Sequence, residues 1–181
     1  MKTSLPGLLR NLSRRIEYAM RFLGRSIRVH SSTWISRKSI LRVSCGGSIV
    51  IGRECEIHPL SMILTYGGAV RVGDNCRLNP FSIIYGHGGV WIGNGVRIAC
   101  HVVIIPANHT MVGDEMPLHR APVTALGIRI EDNVWIGAGA RILDGVHIGS
   151  NVIVGAGSVV TRSVPAGVTV AGVPARVIDR R

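Results

Sequence analysis

The chain has 181 residues, 46% of them apolar but only 4% aromatic, with 23 glycines and a formal charge of +11. That length supports one sizeable core, which must be built from Ile, Val, Leu and Ala, and so many glycines point to repeated tight turns rather than long helices. The charge suits an anionic ligand, a membrane surface or nucleic acid without selecting among them.

No apolar run reaches membrane-spanning length, and the apolar stretch and cleavage site of a secretory signal are missing, so a cytoplasmic protein is expected, with the inner membrane face as a further possibility. Cys45, Cys55, Cys76 and Cys100 show no CxxC spacing and are expected as small buried thiols in a reducing compartment.

In chain order the first element is "LPGLLRNLSRRIEYAMRFLGRSIR", residues 5–28, which sets a basic segment (1–30) apart from the rest (31–181). Leu5, Leu8, Leu9, Leu12, Ile16, Met20, Leu23 and Ile27 recur at helical spacing, with Arg10, Arg14, Arg15, Arg21, Arg25 and Arg28 between them and Glu17 as the single acid. Two readings stay open: a short helix covering an otherwise open strand edge, or one resting on an anionic membrane. A nucleic-acid module is not recognisable, and aromatics for base stacking are scarce.

Beyond it the dominant signal is a six-residue period. Aliphatics recur at Ile51 and Ile57; Val72, Leu78 and Ile84; Ile92, Ile98 and Ile104; then Ile130, Ile136, Ile142, Ile148, Val154 and Val160. Four positions after each comes a small or β-branched residue, such as Cys55, Ser82, Val102, Ala140 and Ser158. Six fits neither a helix nor a two-faced strand alone, but it fits a short strand and a tight turn with one large and one small residue inward. Three such units close a triangular coil, and coils stack at about 4.8 Å. A solenoid of this kind needs few aromatic side chains.

The register breaks briefly at "TYGGAVR" (65–71) and "YGHGGVW" (85–91), each adding two or three residues at a corner. It breaks at length at "TMVGDEMPLHRAPVTALGIR", 110–129, which is expected to leave the solenoid as a protruding loop. His109, in "IIPANHT", stands at the root of that loop, where an imidazole can meet a bound substrate while partly shielded from water. An imidazole can take a proton from an attacking hydroxyl at neutral pH. His101 is read as mid-coil, His58 as a corner residue before Pro59, and His119 as a loop residue, while His30 and His147 have no surrounding constellation.

These units, and above all "IEDNVWIGAGARILDGVHIGSNVIVGAGSVVTRSVPAGVTVAGVPARVI", resemble the left-handed parallel β-helix acyltransferases built from hexapeptide repeats, over roughly residues 49–175. The likeness is greatest to sugar and polysaccharide O-acetyltransferases. It implies an all-β fold with a left-handed coil, which the periodicity does not give, and an acetyl-CoA donor. It also implies a homotrimer with sites between adjacent solenoids, walled by the 110–129 loop.

The family's catalytic histidine matches His109. Its substrate-side asparagine matches Asn79 in "RLNPF", read as lying two coils earlier, although an Asn before Pro is also a common turn choice. His87 falls where such enzymes often place an acidic residue against the acceptor, with Tyr85 and Thr65 as weaker candidates at comparable corners, and Trp135 resembles the family's tryptophan near the cleft.

Ala138, Gly139, Ala156 and Gly157 match the small residues along the pantetheine arm, and Thr161, Arg162 and Arg176 match those around the CoA phosphates. Asp179 departs from the basic residue of some relatives. Asp114 and Glu115 are the nearby carboxylates that could orient His109, as could a backbone carbonyl.

No metal-ligand spacing, P-loop or dinucleotide fingerprint appears. The expected function is acetyl-CoA-dependent O-acetylation of a sugar hydroxyl in capsule, lipopolysaccharide or exopolysaccharide assembly. The rivals are an N-acetyltransferase of a nucleotide-linked amino sugar, a xenobiotic acetyltransferase and a noncatalytic β-helix scaffold.

Overall fold

A computed structural model describes residues 26–110 and 117–180, together with Ser13, Glu17, Tyr18 and Phe22. From Ile27 onward the chain winds a parallel β-solenoid of six coils. The first is β1 (Ile27–Val29), β2 (Trp34–Ile35) and β3 (Ile40–Arg42); the second is β4 (Ser48–Ile51), β5 (Glu56–Ile57) and β6 (Met62–Leu64). The third is β7 (Ala69–Val72), β8 (Arg77–Leu78) and β9 (Ile83–Tyr85), and the fourth is β10 (Val90–Ile92), β11 (Arg97–Ile98) and β12 (Val103–Ile105).

A two-stranded ladder of β13 (Asn108–His109) and β14 (Val123–Thr124) follows. The fifth coil is β15 (Ile128–Ile130), β16 (Trp135–Ile136) and β17 (Arg141–Leu143), and the sixth is β18 (His147–Ile148), β19 (Ile153–Val154) and β20 (Val159–Val160). The chain ends in an antiparallel hairpin, β21 (Val168–Gly172) and β22 (Ala175–Arg180).

Each coil contributes one strand to each of three sheets. Sheet I is β1-β4-β7-β10-β15-β18, sheet III is β3-β6-β9-β12-β17-β20, and sheet II runs from β2 to β19 and is closed by the hairpin. The six-residue pattern dictates this arrangement. Ile51, Val72, Ile92, Ile130 and Ile148 lie buried one above another in sheet I, and Ile63, Ile84, Ile104 and Ile142 in sheet III, each isoleucine worth roughly 1.5–3 kcal/mol when removed from water.

The small positions fill the corners. Cys55, Val96, Val102, Ala140 and Val152 are buried, and Ser82 Oγ, buried at such a corner, donates to the Ala99 carbonyl at 2.6 Å.

Several expectations need correction. Ile27, placed on the helical stripe, is the first residue of β1 and pairs with Ile49. A whole coil precedes the expected start of the repeat; its inward residues Thr33, Ile35, Ser39 and Leu41 keep the six-residue step but lack the glycine that follows most units.

Most of the predicted N-terminal helix lies outside the described residues. Within them, Ser13, Glu17 and Tyr18 are helical, and it is Tyr18 and Phe22, absent from the apolar stripe, that join the core. Tyr18 Oη donates to the Thr33 carbonyl at 2.8 Å and accepts from the Ile35 N–H at 3.1 Å, which ties this segment to the open end of sheet II. The cysteines divide: Cys55 and Cys76 are buried, Cys100 is half-buried, and Cys45 is exposed.

Candidate active site

The solenoid has three edges. At the edge between sheets II and III the second to sixth coils turn in the same way, each with a left-handed residue: Leu60, Phe81, His101, Gly139 and Gly157 have φ of 62°, 63°, 59°, 71° and 68°. Asn79 opens one of these corners, and Ala138, Gly139, Ala156 and Gly157 form the last two. The Gly157 N–H donates to the Ala138 carbonyl at 2.8 Å and the Gly139 N–H to the Cys100 carbonyl at 2.9 Å, so the edge is a ladder of backbone amides.

Asn79 donates from both its N–H and Nδ2 to the Ile98 carbonyl, at 3.0 and 2.8 Å. Its amide nitrogen therefore builds the turn, and Oδ1 is the atom left to face a ligand. His101, expected mid-coil, sits on this edge as well, its ring stacked on Phe81 at 5.0 Å and 4°. That exposed pair was missed, although Phe81 and His101 are one coil apart and both follow a small or proline residue.

The edge between sheets III and I is the irregular one. Here the third coil carries Tyr85 and His87, and the second carries Tyr66, whose ring stacks on His87 at 4.6 Å and 6°. Tyr66 went unnoticed in the sequence, although it lies 21 residues before His87, the same interval that separates the paired strands β4 and β7. His87 Nδ1 is buried without a hydrogen-bond partner among the described residues. Thr65 is not a ligand-facing residue: it is fully buried, and its Oγ1 accepts from the Ser44 N–H at 2.9 Å.

His109 stands on the same edge, after the fourth coil, and Asn79 is little more than one coil below it rather than two. The excursion runs from Pro106 to Gly127; Ile128 and Arg129, expected in the loop, belong to β15. Ile92 to Ile130 spans 38 residues where Ile130 to Ile148 spans 18, so the excursion inserts 20.

The root of the excursion is stapled. Asn108 pairs with Thr124 and His109 with Val123, and the Thr110 N–H donates to the Pro122 carbonyl at 2.9 Å. This fixes the His109 backbone while its side chain stays exposed, with no hydrogen bond to the ring among the described residues. Asp114 and Glu115, the considered orienting carboxylates, lie outside them.

Thr161 and Arg162 are exposed on this same III/I edge, two coils above His109. Trp135 projects from sheet II between Arg97 and Ile153, 54% exposed, three residues before the Ala138 corner. Arg176 lies on β22, opposite Ala171.

The predicted residues thus divide into two groups within one chain: His109, Tyr85, His87, Thr161 and Arg162 on one edge, and Asn79 with the four small residues on the other. Sheet III lies between them. Among the described residues no cluster of three His, Cys, Asp or Glu side chains could hold a metal ion.

Residues 127–162 match the family described as bacterial transferase hexapeptide (six repeats). A 59-residue stretch is 59% identical to the 2,3,4,5-tetrahydropyridine-2,6-dicarboxylate N-acetyltransferase of Staphylococcus carnosus, covering 33% of this chain and 25% of that protein. A 90-residue stretch is 53% identical to nodulation protein L of Rhizobium meliloti, covering 49% of this chain and 47% of that protein. The matches thus span a quarter to about half the length of these relatives.

The fold is also that of AntD, an N-acyltransferase from Bacillus cereus solved in complex with dTDP and 3-hydroxybutyryl-CoA, with a TM-score of 0.75 at 24% identity over 91% of this chain and 88% of that one. Residues 127–162 thus carry the hexapeptide-repeat pattern, and the described residues form a parallel β-solenoid.

Proposed function

We propose that the protein is an acetyl-CoA-dependent acetyltransferase that acetylates a sugar hydroxyl, with His109 as general base. The observation that carries this is the stapled root of the excursion, which holds an exposed imidazole on the rim of a solenoid whose neighbouring edge is a ladder of small residues. The imidazole removes the acceptor proton as the hydroxyl oxygen attacks the thioester carbonyl carbon. The tetrahedral intermediate then collapses with cleavage of the C–S bond, and the imidazolium returns the proton to the departing CoA thiolate. Asn79 Oδ1, the atom not engaged in the turn, would orient the acceptor.

The two edges come together only between copies. Outward positions of sheet III are mostly aliphatic, with Met62, Leu64, Ile83, Val103, Ile105 and Leu143 half-buried and Arg42, Tyr85 and Arg141 interrupting the columns, whereas sheets I and II carry more charge there. An apolar face of this kind is a subunit contact. Three copies packed with sheet III toward a common axis bring the II/III edge of one against the III/I edge of the next, and the rotation closes after three. Each site then receives His109, Tyr85 and His87 from one copy and Asn79, Trp135 and the backbone ladder from its neighbour. Thr161, Arg162 and Arg176 lie toward the C-terminal coils, where the CoA phosphates would be held.

A second reading, acylation of an amino group, is favoured by the N-acetyltransferase relative and by AntD. A thiol-release assay with acetyl-CoA and paired hydroxy and amino sugars separates the two. Turnover with hydroxy sugars that His109→Ala abolishes supports the proposal; turnover with amino sugars alone selects the second reading, and none with either overturns both.

A further inference from the structure

Outward side chains on sheet I form one column in exact register with the coils: Arg28 pairs across to Val50, Val50 to Arg71, Arg71 to Trp91, Trp91 to Arg129, and Arg129 to His147. Arginines thus occur on the first, third and fifth coils. At the strand spacing their positions recur about every 10 Å.

The column lines two depressions that share Arg71. One, of about 520 Å³, is lined by Arg71, Trp91, Arg129 and His147 and ends at Leu126, in the excursion that carries His109. The other, of about 440 Å³, is lined by Ser26, Arg28, Ser48, Val50 and Arg71. Arg129 lies 4.0 Å over the Trp91 ring and forms an ion pair with Glu131, which also meets His147. Arg28 and Arg71 form no ion pair among the described residues, in a chain whose net charge is +11.

We infer that this track is a binding site for an extended acidic saccharide chain, carrying carboxylates or phosphates at intervals along its length. The spacing selects that class. A nucleoside diphosphate presents adjacent charges and needs converging cations, whereas these arginines are spread along the solenoid axis with apolar or aromatic residues between them. Sugar rings present apolar faces to such intervening side chains, and guanidinium groups pair with carboxylate or phosphate. The track passes beside the His109 excursion, whose Leu126 borders its upper depression, so a chain lying in it runs along the edge that carries the base. This last point rests on the proposed acetyl transfer, but the binding itself does not.

Binding of the intact protein, without acetyl-CoA, is measured by calorimetry against oligogalacturonates, oligosialates and phosphorylated oligomannosides of graded length. UDP, neutral dextran and vesicles containing phosphatidylglycerol serve as comparisons, each over a salt series. The expected result is affinity for at least one acidic series that rises with length until the chain spans coils one to five and falls with salt. Arg71→Ala should weaken it about tenfold, the loss of one charge-assisted contact, and Arg71→Lys less. Trp91→Phe should retain most of the affinity. Equal binding of UDP and the longest oligomer, binding to vesicles alone, or no binding to any acidic chain would overturn the inference. If the acidic chains bind but thiol release fails, the track stands and the transferase reading falls.

Discussion

The two edges that flank sheet III are built from the same repeat, yet they differ in length. Along the II/III edge the second to sixth coils use the same six-residue step and the same left-handed corner, from Leu60 to Gly157. Along the III/I edge successive coils are lengthened. Paired strands are 22, 21 and 20 residues apart in the first coils, 38 at the excursion and 18 beyond it. The uniform edge repeats one backbone geometry at each level, which suits a ligand lying along the axis. The lengthened edge presents a different side chain at each level, Cys45, Tyr66, His87 and then His109, which suits chemistry at one point. Regularity and specificity are thus separated onto different edges.

The largest effect expected from breaking this division is at the lengthened edge. His109→Ala should reduce turnover about 10²–10⁴-fold, the span of a lost general base. The melting temperature should barely move, because the side chain is exposed. Turnover close to that of the parent would remove the imidazole from the chemistry.

Next comes the core common to both edges. Ile104 is fully buried on β12, directly before the excursion, and Ile104→Ala should cost about 2–5 kcal/mol in denaturant unfolding. A cost below about 1 kcal/mol would mean that the stack does not hold this coil.

Smaller again is a pair of alanine substitutions that reads the two edges separately. A Cβ at Gly68, on the lengthened edge, would drive into the Gly86 carbonyl oxygen of the coil above. At Gly157, on the uniform edge, it meets nothing within 4 Å, and only the φ of 68° opposes it. Gly157→Ala should therefore cost about 1–2 kcal/mol, and Gly68→Ala distinctly more, because backbone cannot move aside. The reverse order would show that the lengthened corners are not locked by stacking.

What the sequence disclosed follows the same division. The solenoid was legible because core and corner residues repeat every six positions, and all eleven small positions from Cys55 to Ser158 are buried. His109 was legible as the point where the register stops. The first coil was not, because its units lack the glycine and it follows a helical stripe whose last member, Ile27, serves both patterns.

Nor was the aromatic stack of Tyr66 on His87. It joins residues 21 apart at corners whose added residues hide the alignment. The separation of Asn79 from His109 within one chain was equally hidden, since sequence distance does not say which edge of a triangle a residue reaches.

The smallest effect belongs to the ion cluster beside the uniform edge. Glu56 on β5 meets Arg77 at 2.6 Å and His58 at 3.0 Å, and Arg77 above all holds the Glu56 carboxyl below the usual carboxylate range. A carboxyl whose folded pKa is depressed stabilises the fold above its ordinary pKa, near 4.3, and this contribution disappears as pH falls through the lowered folded value. Glu56→Gln should therefore lower the melting temperature at pH 6 and leave it unchanged at the acid end. Because the carboxylate is 39% exposed, the loss at pH 6 should stay under about 1 kcal/mol, or roughly 2–4 °C. A larger loss, or one that persists at low pH, would mean that Glu56 supports the II/III corner by packing rather than by charge, and the uniform edge would then owe part of its regularity to side chains rather than to the backbone step alone.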